Sequence, residues 1–380
     1  MKKLVSLAAL VSVALTGCVS NEEIIPEQKN KEISFEVASY VPQSRVSGAF
    51  STTQSFGVNA WYTLDPTADV EGGAPADIET DQMMVEETVS YTLLVDKYIW
   101  KTSNAYYWPK KGTIDFIAYY PTTVIPTISY DYEGGDELTY TNYTVKNTDP
   151  TNPEPSDDLM YANKAIRFNN NKDATTNGTN LGFDGVYGFE GVPTLFNHAL
   201  AQLKFKVQNA EPFDGTYKWI ITVKKIEVIC YDKGDVTLTN SGTTTASVGT
   251  WTTPNDVWIP SGNLITTPLT WEPTDAVTLS DGTEKVFDDK TVYILPQELV
   301  AGKQKVKVYY DVKVTNKNDE LVDIHNDYEE EYDLSNGTLQ YWQMNKIITY
   351  TVKFNPVGEM ILFAPAVKEW DTESGSIVVM

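Results

Sequence analysis

The chain has only two histidines, His198 and His325, and two cysteines, Cys18 and Cys230. A Ser–His–Asp set can be assembled on paper, but no nucleophile-elbow pattern accompanies it. Zinc would need more nitrogen and sulfur ligands than these residues supply, unless carboxylates filled in. No Gly-rich phosphate loop appears. With 52 Asp and Glu residues, carboxylate pairs are everywhere, and none stands out by spacing as a glycosidase pair. Asp131 to Glu137 gathers oxygens around Gly134 and Gly135, but it lacks EF-hand spacing and reads better as a solvated loop. Glu329, Glu330 and Glu331 read as a solvated charge run. The expectation is no enzyme, no cofactor and no metal.

Chemistry of another kind is carried by three features. Lys2 and Lys3 open a positive start, and Leu4 to Leu15 is an apolar run too short to span a membrane comfortably. It ends in Leu15-Thr16-Gly17-Cys18, which resembles a lipobox, where small residues admit the signal peptidase and the Cys18 thiol takes a diacylglycerol. Arg45, followed by Val46, is one of only two arginines, the other being Arg167. It lies in the break Pro42 to Ser47, where a trypsin-like protease reaches easily. The aromatics Tyr106, Tyr107, Trp108, Tyr119 and Tyr120 offer a sugar-stacking platform, although strand aromatics are more often core.

The elements that position these residues are strands. At about 150 residues per domain, 380 residues suggest two domains, and each half is long enough to bury a core. Tyr, Val, Thr and Ile are plentiful and no long helical period appears, so the fold is expected to be all-β. The formal charge of −23 excludes nucleic acid as a partner, because phosphates are repelled. It also excludes docking by charge on an anionic membrane. Removing Lys2 and Lys3 takes the charge further negative. If Cys18 is lipidated, Cys230 has no partner for an intramolecular disulfide. In the run IEVICY it reads as a small buried hydrophobe.

Residues 1–17 read as a lipoprotein signal peptide and 18–31 as a polar, flexible tether. Residues 32–192 and 193–380 read as an N-terminal and a C-terminal β-domain. Ile33, Phe35 and Val37 alternate with polar neighbours, giving a first strand with one apolar face. Lys111-Gly112 is a turn signal, after which Ile114, Phe116 and Ala118 share a face. Leu203, Phe205 and Val207 alternate with Gln202, Lys204 and Lys206 in the strand that opens the second half. Pro296 ends its strand or places it at an edge. In Ser374–Met380, Ile377 and Val379 face one way and Val378 and Met380 the other.

These motifs, in their order, resemble the fimbrillin family, the Mfa-like pilus subunits and adhesins of Gram-negative anaerobes. The matching features are the lipobox at Cys18, the first strand followed by Arg45, FGVNAWY, YYWPKKGTIDFIAYYP, DDLMYA, FNHALAQLKFKV, VYILPQEL and the closing VKEW. The resemblance implies two transthyretin-like β-sandwich domains in tandem. It implies export as an outer-membrane lipoprotein and a place in cell-surface fimbriae. It implies cleavage by an Arg-specific protease after the first strand, here between Arg45 and Val46, which frees the strand of Ile33, Phe35 and Val37. The emptied groove is filled by β-strand addition from another pilin subunit, with Ile377, Val378, Val379 and Met380 as the donor candidate. Partners are then other pilin subunits, the processing protease, the membrane through the lipid anchor, and a host or bacterial surface ligand. The alternative is a surface glycan-binding lipoprotein that uses the aromatic platform.

Protein from its native host should begin at an acylated Cys18. Mass spectrometry of the N-terminal peptide checks this, and an unmodified Met1 or a cut elsewhere removes the idea.

Overall fold

The computed structural model describes residues 32–37, 52–64, 79–94, 97–110, 112–132, 134–147, 154, 157–169, 175–176, 179–180, 191–240, 247–355 and 360–369. It is all-β. The first half supplies β1 (Phe35–Val37), β2 (Ser55–Leu64), β3 (Glu79–Leu94), β4 (Lys97–Thr102) and β5 (Thr113–Tyr120). Next come β6 (Thr127–Ser129), β7 (Asp136–Thr144), β8 (Met160–Ala162) and β9 (Lys164–Phe168). The short β10 (Thr175–Thr176) and β11 (Thr179–Asn180) pair with each other, and β12 (Val192–Thr194) and β13 (Phe196–His198) follow.

The largest sheet runs β12–β1–β4–β3–β2–β5–β8–β13, with β9 also on β5. Its end strands, β12 and β13, are consecutive and separated only by Leu195. The two ends of the strand order therefore meet, and the enclosed core holds Phe35, Phe56, Val58, Trp100, Trp108, Phe116 and Val192. Ile114, Phe116 and Ala118 share its inner face, as their alternation requires. Gly112 makes the turn into β5 at φ +76°, and a Cβ there would lie 2.3 Å from the Thr63 carbonyl oxygen. Only glycine meets both demands.

The second half contributes β14 (Ala201–Asn209), β15 (Tyr217–Ile229), β16 (Lys233–Asn240), β17 (Ser247–Gly249) and β18 (Ile259–Pro260). The short β19 (Leu269–Trp271), β20 (Val277–Leu279), β21 (Lys285–Val286), β22 (Val292–Ile294) and β23 (Gln297–Glu298) come next. Last are β24 (Lys305–Asn316), β25 (Leu321–Asp333), β26 (Tyr341–Trp342), β27 (Lys346–Asn355) and β28 (Met360–Glu369). Two sheets, β21–β14–β27–β28 and β19–β15–β24–β25, face each other. Leu203, Phe205 and Val207 from β14 meet Ile226, Val228, Val306 and Val308 between them. Lys204 and Lys206 are half-buried, on the opposite side of their strand. Pro296 lies between β22 and β23, where the strand stops. Glu329, Glu330 and Glu331 sit exposed on the edge strand β25. Lys307 and Lys305 on β24 pair with Glu329 and Glu331.

Residues on both sides of position 193 share two sheets. β6 and β7 join β16 and β18 in the order β18–β16–β7–β6, and β17 pairs with β9. This small sheet covers the outer face of β2 and β5. Trp61 stacks on Tyr130 at 4.5 Å with the rings 3° from parallel. Ile117, Leu138, Tyr140, Leu238, Trp258, Tyr293 and Leu295 complete a core drawn from both halves.

Phe205 is 1% exposed and meets Trp271 edge-on at 4.8 Å. Phe205→Ala should cost about 3–5 kcal/mol through lost transfer energy and the cavity left behind. Chemical denaturation measures it, and a loss under about 1 kcal/mol would remove β14 from the core.

Candidate strand-accepting groove

The first strand fills a slot in the large sheet. β1 runs parallel to β12, with Phe35 opposite Val192, Glu36 opposite Pro193 and Val37 opposite Thr194. On its other side Phe35 pairs antiparallel with Trp100. Just before β1, Glu32 bridges Tyr107, and the Ile33 N–H donates to the Tyr106 carbonyl at 2.7 Å. The Val192 N–H donates to the Ser34 carbonyl at 2.8 Å. A salt bridge of 2.8 Å joins Lys101 to Glu32. Both groups are largely sheltered, yet such pairs near a surface contribute little.

The side chains hold this strand more firmly than its few backbone bonds do. Ile33 and Phe35 are 2% and 4% exposed. The Phe35 ring meets Phe56 and Phe116 edge-on at 5.8 and 5.7 Å, nearly perpendicular to both. This is the favoured aromatic arrangement, worth about 0.5–1.5 kcal/mol per pair beyond burial. Val37 is half-buried and packs against the same core. Without residues 32–37, the ring of Phe56, the indole of Trp100 and Val192 would lose their cover, and both β12 and β4 would show unpaired edges.

Sequence reasoning found Ile33, Phe35 and Val37 but not the partner strand β12. Its one signal is Gly191 ahead of the short run Val192-Pro193-Thr194. A Cβ on Gly191 would lie 2.8 Å from the Phe35 carbonyl carbon and 2.9 Å from the Ser34 oxygen. Glycine is there to let two backbones approach. Cys18, Arg45, Val46, Ile377, Val378, Val379 and Met380 lie outside the described residues. The last described strand, β28, pairs with β27 at an edge of its sheet.

Other candidates change character. Trp108, Tyr119 and Tyr120 are 1%, 1% and 5% exposed, so they are not a face for sugar stacking. β5 is covered on both sides, which puts aromatics of either parity inside. Tyr106 is half-buried and donates to Glu87, and Tyr107 alone is well exposed. In the Asp131–Glu137 run, the Asp136 carboxyl is buried against Lys164 at 2.6 Å rather than facing solvent. No group of His, Cys, Asp and Glu among the described residues could hold a metal. His198 is buried and contacts Asp158 at 2.8 Å, fastening β13 beside β8. Burial pushes the Cys230 thiol up to about 12, with nearby Asp232 adding to the effect, which makes it inert near neutral pH.

Residues 44–370 match the fimbrillin-like family. This chain belongs to that family. The matched stretch begins after β1 and takes in the strands on both sides of its slot. No curated protein matches. Among solved structures, a fimbrial protein from Bacteroides vulgatus is similar at 17% identity and a TM-score of 0.49, covering 90% of this chain and 100% of that one. The tip fimbrial protein Mfa3 from Porphyromonas gingivalis, with a C-terminal truncation, is similar at 10% identity and a TM-score of 0.32, covering 90% and 100%.

Gly191→Ala drives a methyl group into the backbone of β1. The fimbrillin-like fold should lose about 1–3 kcal/mol, as overpacked sites do. Urea denaturation reads the change, and a shift within about 0.5 kcal/mol would show that β1 and β12 separate without cost.

Proposed function

We propose that this chain is a structural subunit or adhesin of cell-surface fimbriae. It is carried to the outer membrane as a lipoprotein through Cys18 and matured by Arg-specific proteolysis between Arg45 and Val46. Subunits then join by strand addition into the slot that β1 occupies. The division into an N-terminal domain, 32–192, and a C-terminal domain, 193–380, belongs to this reading, with β16 to β18 as a bridge between them.

One observation carries the reading: β1 is an inner strand of only three residues whose Phe35 plugs the first core. A strand held mostly by side-chain burial is stable while it is tethered at both ends. Cutting the tether gives it translational and conformational freedom on leaving, and it can be replaced by a longer strand with the same alternation. The replacement restores both rows of backbone bonds, as in other β-augmentation. Ile377, Val378, Val379 and Met380 form the candidate insert. They follow the edge strand β28, so a tail beginning there has no further strand of its own sheet to cross. The family of the chain supports a fimbrial role, and the buried state of Trp108, Tyr119 and Tyr120 speaks against the glycan platform.

Trypsin treatment of the purified protein, followed by size-exclusion chromatography, tests the cycle. The wild type should form ladders of oligomers, whereas Arg45→Ala and a deletion of 374–380 should each stay monomeric. Ladders from Arg45→Ala would rule out that cut as the trigger. Ladders from the deletion would rule out the tail as donor.

A further inference from the structure

Between the large sheet and the small one that covers it lies a fully buried trio unrelated to the groove. Lys164 on β9, Asp136 on β7 and Asp115 on β5 are 1%, 0% and 3% exposed. The Lys164 Nζ lies 2.6 Å from the Asp136 Oδ2 and 3.0 Å from the Asp115 Oδ2. The Tyr130 ring covers the amine at 4.7 Å, and Trp61 stacks on the back of that ring. Two carboxyl groups and one amine in a dry site cannot all be ionised without a net buried charge, which is costly.

The two carboxyl groups are not equivalent. Asp115 accepts three donors besides separating the charges. Its Oδ1 takes the Arg167 backbone N–H at 2.6 Å, and its Oδ2 takes the Tyr130 hydroxyl at 3.2 Å along with Lys164. Asp136 accepts the Asp131 N–H at Oδ1, 3.0 Å, and Lys164 at Oδ2. Desolvation holds its carboxyl above the ordinary range despite Lys164, which favours the protonated acid. An acyl carbon flanked by one N–H donor, an amine in contact with its other oxygen, and a carboxylate touching the amine make up a nucleophile, an electrophile and a proton carrier.

We propose that Lys164 and Asp136 become joined by an intramolecular amide bond, formed by the protein itself with Asp115 as the proton carrier. Asp115 takes a proton from the Lys164 ammonium, leaving a neutral amine. The amine lone pair attacks the Asp136 carboxyl carbon, and the new oxyanion is stabilised by the Asp131 N–H. Asp115 passes its proton to the departing hydroxyl and receives one from the amine nitrogen. The Asp136 C–OH bond breaks, a C–N bond forms and one water leaves. No oxidant, reductant or cofactor enters, and the site ends with an amide and a neutral Asp115, so no ion remains buried. The bond ties residues 28 positions apart and fastens the small covering sheet to the large one through β7 and β9.

The test is peptide mapping of the full purified chain by mass spectrometry. The wild type should give a branched peptide carrying both Lys164 and Asp136, lighter than its two arms by one water and uncut by trypsin at Lys164. Only linear peptides with an unmodified Lys164 would overturn the bond. Asp115→Asn should give linear peptides from protein whose circular dichroism matches wild type. A branched peptide from it at wild-type yield would overturn the role of Asp115. Lys164→Arg should yield no branch at Asp136, and a branch there would overturn the choice of nucleophile. The wild-type spectrum decides the bond even where a variant fails to fold.

Discussion

Strands β2 and β5 have no solvent face, and the rest of the molecule follows from that constraint. Phe56, Val58, Ile114 and Phe116 line one side, while Trp61 and Ile117 line the other. A sheet that is apolar on both faces needs two covers. The inner cover comes from the sheet curling around, with β1 closing the slot between β12 and β4. The outer cover cannot be built from the first half alone, because β6 and β7 make only a hairpin, and an isolated pair of strands is marginal in water. The chain sends β16 to β18 across from the second half to complete it. The two halves are thereby fused through a third core.

The two covers differ in how replaceable they are. The outer one is held by β7 and β16 paired from Lys233–Thr144 to Asn240–Asp136, by several large aromatics and by the Lys164 trio. The inner one relies, at the slot, on three paired residues and one phenylalanine plug. Burying a side chain is worth similar energy whichever strand carries it. The slot is thus defined mainly by an alternating apolar strand, and the outer ladder by a long fixed register. The strand addition proposed above asks for this contrast between one lightly paired strand and a rigid frame.

The buried trio sets its own constraint on the frame. Among the described residues Lys164 is one of the largest fully buried side chains, alongside Trp108, Trp258 and Phe205. An ion pair without solvent gains specificity at the expense of desolvation, whereas an amide in the same place carries no charge. Its position between the two covers of β5 makes it a fastening for the outer layer, independent of whatever occupies the slot.

Period-2 alternation made much of this legible in the sequence. It marked Ile33 and Phe35, Ile114 to Ala118, and Leu203 to Val207 as faces, because on a strand side-chain parity alone decides the face. Charge and histidine content likewise narrowed the chemistry without coordinates. Parity does not say whether either face is wet, so Trp108, Tyr119 and Tyr120 could be read as a platform when Trp108 and Tyr120 in fact belong to the inner core and Tyr119 is buried as well. Nor does it say which strands pair. Gly191 beside Phe35 and Asp136 beside Asn240 are contacts between residues more than a hundred positions apart, and no local pattern encodes them. Lys164, an ordinary lysine in sequence, is likewise unmarked by any local pattern, and becomes a reacting group only where β5, β7 and β9 bring two carboxyls to its amine and exclude water. The all-β class and the apolar face of each strand are written in the residue order, through local sterics and hydropathy. Which faces are covered twice, which strand closes the slot and which charges are buried emerge only on folding, because those depend on non-local pairing.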